Sequence, residues 1–76
     1  MKAKAFVFIT TATTKTSEVI LALRKLEGVK SADSVTGPYD IIAVVEAENL
    51  DTIGVLITDK IHPIAGILRT VTCLAI

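Results

Sequence analysis

The most pointed polar constellation in the chain is Thr36-Gly37-Pro38-Tyr39-Asp40. Glycine admits a left-handed backbone, proline fixes the next φ, and an aspartate closing the turn can accept backbone N–H bonds. Two uses of such a turn stand side by side. It can be a rigid hairpin with a structural aspartate. It can also present backbone amides and one carboxylate to a small zwitterion, with an ammonium on Asp40 and a ligand carboxylate on the turn amides. Spacing alone favours neither. A second polar feature is Thr70-Val71-Thr72. Thr70 and Thr72, two residues apart on a strand, point to the same face. Their hydroxyls either pack and hydrogen-bond across strands, the use favoured by physics alone, or contact a ligand.

The remaining inventory is thin. His62 is the one histidine and precedes Pro63, which predicts an exposed residue at a helix C-terminus rather than a base or metal ligand. Cys73 is the one cysteine, so no intrachain disulfide can form; its place in an apolar run predicts a buried core thiol rather than a nucleophile. There is no C-x-x-C pair for a metal, no glycine-rich phosphate loop, no paired carboxylates in one motif and no basic-aromatic strip. Hydrolase or kinase chemistry is unsupported, no catalytic residue, metal or cofactor is expected, and a binding module is the better description.

The elements that must hold these residues follow from periodicity. Ala5 to Thr11 (AFVFITT) reads as a central strand, β-branched and aromatic and apolar on both faces. Thr14 or Thr16 is the expected N-cap of a helix whose apolar stripe is Val19, Ile20, Leu23 and Leu26, with Glu18 in its first turn, Arg24 and Lys25 in its last, and Gly28 as its stop. Val29 to Thr36 is a more polar strand, and Ile41 to Glu48 a second strand apolar on both faces. Asn49 can cap a second helix with the stripe Leu50, Ile53, Ile57 and Ile61, ended by His62-Pro63; Ile67 to Ile76 is the last strand. A faint internal repeat runs through this order: Val19, Leu23, Leu26, Gly28 and Val29 recur 38 residues later as Ile57, Ile61, Ile64, Gly66 and Ile67. The order β-α-β-β-α-β in two βαβ halves predicts an α+β, ferredoxin-like domain over residues 1–76, a four-stranded antiparallel sheet with both helices on one face.

Composition then raises a question about the other face. The chain has 76 residues, 51% of them hydrophobic, and 8 basic against 8 acidic side chains. That is one domain, too apolar to be disordered and without the basic excess of a general nucleic-acid or anionic-membrane binder. Strands 1 and 3 do not alternate apolar with polar, as a solvated sheet face would require. In strand 4, Leu68, Leu74 and Ile76 are expected on one face, with Ile67, Val71, Cys73 and Ala75 on the other. An apolar sheet face of that extent exceeds what a monomer normally exposes. The simplest cover is a second copy in a two-fold dimer, closing a dimeric α/β barrel; the alternatives are aggregation or a different partner. The apolar run after Lys4, Ala5 to Ile9, is too short for a signal core or a membrane span. A cytoplasmic protein is expected, with no membrane partner.

Taken together these residues resemble the effector-binding C-terminal domain of Lrp/AsnC transcription regulators, also called the RAM domain. The likeness is carried by AFVFITT, by Leu26-Glu27-Gly28-Val29, by the Thr36-Gly37-Pro38-Tyr39-Asp40 hairpin with the Ile41 to Glu48 strand, and by Gly66-Ile67 leading to Thr70-Val71-Thr72. The T-G-x-Y-D hairpin before an apolar strand is its most specific part. The resemblance implies dimers through the sheet face, dimers assembled into octamer-like rings, and an amino acid held in clefts between dimers. Carried over by position, Gly37, Tyr39, Asp40, Thr70 and Thr72 line or border that cleft. Family regulators carry an N-terminal helix-turn-helix domain, whereas this chain opens at strand 1. The expectation is a stand-alone domain with no DNA binding of its own, acting on regulation of amino acid metabolism by sensing or sequestering an amino acid, or by mixed assembly with a full-length relative. Two other readings compete: a small dimeric α/β-barrel enzyme of the monooxygenase type, for which the chain lacks tryptophan and is 4% aromatic, and a purely structural assembly module without ligand.

Overall fold

A computed structural model describes residues 2–76. The elements are β1 (Ala3–Thr11), a 3-10 turn (Thr13–Lys15), α1 (Thr16–Arg24), β2 (Val29–Ser34), β3 (Ile41–Ala47), α2 (Leu50–Val55) running straight into a π-helical segment (Leu56–Ile61), and β4 (Ile67–Leu74). The sheet order is β2-β3-β1-β4 and all pairings are antiparallel. This is the ferredoxin-like α+β arrangement that the periodicity predicts.

The alternation of β1 and β3 divides the sheet in two. Ala5, Val7, Ile9 and Thr11, with Ile41, Ala43 and Val45, are buried under the helices, where they meet Val19, Leu23, Ile53, Leu56, Ile57 and Ile61. Phe6, Phe8, Ile42 and Val44 take the other side and are only half-buried. Paired strands carry opposing side chains to the same face. Val71 and Cys73, opposite Phe8 and Phe6, therefore join the open face, while Thr70 and Thr72, opposite Ile9 and Val7, lie on the helix side.

The structure corrects the sequence reading at several points. Cys73 is exposed rather than buried, because its register places it on the uncovered face. Ile67 does not share a face with Val71 and Cys73: a bulge lies between Thr10/Arg69 and Thr11/Ile67, so Ile67 packs against the core and the extra residue, Leu68, is 67% exposed. Neither Thr14 nor Thr16 caps α1; the 3-10 turn leads into the helix, and Thr16 Oγ1 instead shares a 2.7 Å hydrogen bond with Thr11 Oγ1. Asn49 does cap α2, its Oδ1 accepting from Thr52 N at 2.8 Å. Leu50 is exposed at 55% while Leu56 is buried: the covered stripe is Ile53, Leu56, Ile57 and Ile61, at i, i+3, i+4 and i+8, and Leu50 at the first turn of α2 lies outside it.

The internal repeat is a real pseudo-two-fold. Leu26 N donates to Leu23 O at 3.0 Å and Ile64 N to Ile61 O at 3.0 Å; Val29 N donates to Leu26 O at 3.2 Å and Ile67 N to Ile64 O at 3.3 Å. Gly28 and Gly66 follow with φ of 98° and 101°, a region that favours glycine. Their carbonyls accept from Glu46 N at 2.8 Å and Ala12 N at 2.9 Å, so each helix is tied to the end of a central strand in the same way.

Candidate functional site

The hairpin between β2 and β3 is built around Asp40. Its backbone N–H donates to Ile9 O at 2.9 Å, its carbonyl accepts from Val35 N at 2.9 Å, and its Oδ2 accepts from Thr11 N at 2.8 Å. Thr11 is 5% exposed, so this carboxylate satisfies a donor that would otherwise be orphaned at the bulge where β1 leaves β4. Oδ1 takes no protein donor among the described residues. Gly37 has φ of 127°, and a side chain there would meet nothing within 4 Å; Thr36, Gly37 and Pro38 are exposed. The turn is therefore held rigidly at its base by Asp40 and is bare at its tip. Both uses of the hairpin set out from the sequence are thus compatible in one residue, with one oxygen anchored to the backbone and one facing outward.

Tyr39 turns to the open sheet face, its ring centroid 5.2 Å from that of Phe8 at a tilt of 42°. Thr70 and Thr72 lie on the opposite face. Thr70 Oγ1 is 2.9 Å from His62 Nε2. Thr72 opens into a groove of about 360 Å³ between α2 and β4, walled by Leu50, Ile53, Ile57 and Leu74 with Gly54 at its edge. The five residues named from the sequence therefore do not converge within one chain: Tyr39 and the threonines are separated by the thickness of the sheet. A single cleft lined by all of them requires the hairpin of one copy and β4 of another.

A larger recess of about 740 Å³ lies elsewhere, lined by Lys25, Gly28, Lys30, Glu46 and Lys60 among others, and contains none of the five. Size alone does not identify the site here. Among the described residues no group of three His, Cys, Asp or Glu side chains is placed to hold a metal ion, and no helix is long and apolar enough to cross a membrane. His62 is exposed, as its place before Pro63 predicts, but its contact with Thr70 was not legible from local sequence.

Comparison with known proteins comes down on one family. The model of the Lrp/AsnC ligand binding domain matches residues 4–76. The uncharacterized HTH-type transcriptional regulator PH1916 of Pyrococcus horikoshii is 34% identical over 55 residues, 72% of this chain and 37% of that regulator, so the chain spans little more than a third of the curated relative it matches. The solved structure of hypothetical protein PHS023 from Pyrococcus horikoshii superposes with a TM-score of 0.92 at 38% identity, covering 100% of this chain and 90% of that one. At the level of fold alone, transcriptional regulator NMB0573 in its L-Met complex, from Neisseria meningitidis, superposes with a TM-score of 0.84 at 16% identity, covering 97% of this chain and 49% of that one.

Proposed function

The chain belongs to the Lrp/AsnC ligand-binding domain family, and from that membership we propose that it is an amino-acid-sensing module that assembles through its open sheet face. The observation that carries the reading is the geometry of Asp40: one carboxylate oxygen is pinned by Thr11 N, and the other is free at the foot of an exposed turn. A fixed carboxylate beside bare backbone amides suits the ammonium and carboxylate of an amino acid. The class of ligand is supported by the L-Met complex of the Neisseria regulator.

The same placement supports assembly. Gly37, Tyr39 and Asp40 of one copy meet Thr70 and Thr72 of another only if copies associate, and the half-buried face of Phe6, Phe8, Ile42, Val44 and Val71 provides the apolar surface for a two-fold dimer that closes a barrel. Dimers then join into a ring of the octamer type, with the amino acid in the clefts between them. The module works in the cytoplasm, without catalysis and without contacting nucleic acid or membrane itself, in keeping with its 8 basic and 8 acidic side chains. Its effect on transcription passes through ligand capture or through mixed assembly with a full-length relative. A solved relative of nearly equal length supports a separate existence for the domain.

Thermal unfolding in the presence of each of the twenty amino acids tests this directly. At 100 times its dissociation constant the right ligand adds about 2.7 kcal/mol of stability, a clear rise in Tm. Absence of a rise with every one of them would refute the sensor and leave a purely structural module.

A further inference from the structure

The pseudo-two-fold continues into the tethers between helices and edge strands, and there the two halves part company. Arg24 and His62 are 38 residues apart, as are Ala32 and Thr70, which is the period of the repeat. In the first half Arg24 Nε and an Nη donate to the backbone carbonyl of Ala32 at 3.1 and 2.8 Å, and Ala32 is 1% exposed. In the second half the same tether runs from His62 Nε2 to the side-chain hydroxyl of Thr70 at 2.9 Å, at the half-exposed face of β4. A clamp on the backbone in one half has become a contact with a hydroxyl in the other. His62 reaches that position because the π-helical segment closes with His62 N donating to Ile57 O at 2.8 Å, and such widened turns gather at functional sites.

We propose that His62 is the positioning residue for Thr70, fixing its hydroxyl for the carboxylate of the bound amino acid; this rests on the sensing role proposed above. A threonine hydroxyl has one hydrogen and two lone pairs. When His62 Nε2–H donates to Oγ1, it occupies a lone pair and leaves the hydroxyl hydrogen free for an external acceptor. Without the imidazole, Thr70 is free to rotate and spend that hydrogen on a nearby backbone carbonyl. Ala32, the counterpart in the first half, has no hydroxyl to aim, which is why its tether needs only to hold the strand.

The test is a double-mutant cycle read by calorimetric titration, using as probe whichever of the twenty amino acids raises the Tm of the unaltered protein most. His62→Ala and Thr70→Val should each weaken binding about tenfold, and the double variant should be no weaker than Thr70→Val alone, because the histidine acts through the hydroxyl. His62→Gln, which keeps an N–H donor, should bind within about twofold of the unaltered protein. Arg24→Ala, at the equivalent tether, should lower Tm while leaving affinity unchanged. Additive losses in the double variant, or a loss in Arg24→Ala matching that in His62→Ala, would overturn the proposal as general loosening. Unchanged binding in His62→Ala overturns it outright while leaving the sensing role intact. No response of the unaltered protein to any amino acid overturns both.

Discussion

Val44→Glu is expected to dissolve the assembly into monomers. Val44 sits on β3 at the middle of the open face, with Phe6 directly opposite on β1 and Ser31 on β2. Its side chain points away from the helices, so the core beneath it is untouched. Between two packed sheets a carboxylate at that position would lose its water without gaining a partner, a cost of several kcal/mol. Association should weaken by more than about a hundredfold, and sedimentation velocity at micromolar concentration should show the variant at monomer mass with its unfolding still cooperative. Sedimentation identical to that of the unaltered protein would place the interface elsewhere.

Leu23→Ala is expected to bring the fold close to its limit. Leu23 is fully buried on α1 in the cluster with Val19, Ile9 and Ile41. Truncating a buried leucine costs about 2–5 kcal/mol, the upper end applying where the surroundings cannot collapse. A chain of this length holds only about 4–11 kcal/mol in total. Urea unfolding at fixed protein concentration should therefore show a large drop in midpoint with little change in slope. A loss below about 1 kcal/mol would mean that the helix layer contributes less than its burial implies.

The fold was legible because its elements are marked plainly. The unbroken apolar runs of β1 and β3 mark central strands, the stripe of Val19 and Leu23 names the buried side of α1, and Gly28 and Gly66 punctuate both halves at equivalent points. What escaped were features set by register or by contacts remote in sequence. A one-residue bulge moved Ile67 to the core and exposed Leu68, and pairing with Phe6 put Cys73 on the uncovered face. No local pattern announces either. In the candidate site, the hairpin was visible as Gly37-Pro38-Tyr39-Asp40, but the hydrogen bond from Thr11 N to Asp40 spans 29 residues and could not be read from either end. The tether from His62 to Thr70 had a signal in the 38-residue offset that carries Arg24 and Ala32 onto His62 and Thr70.

In the proposed function the oxygen of Asp40 that Thr11 N leaves free holds the ammonium of an amino acid. Asp40→Asn tests it more cleanly than Asp40→Ala, because asparagine keeps a side-chain oxygen for Thr11 N, whereas alanine orphans a buried donor at about 1–3 kcal/mol. Calorimetric titration of the unaltered protein and of Asp40→Asn with the same stabilising amino acid, after sedimentation has verified equal assembly, decides the matter. Saturable binding is expected of the first and at least a hundredfold weaker binding of the second, at nearly equal Tm without ligand. Equal binding by both would show that the carboxylate serves the hairpin alone and that the ligand, if bound, is held elsewhere.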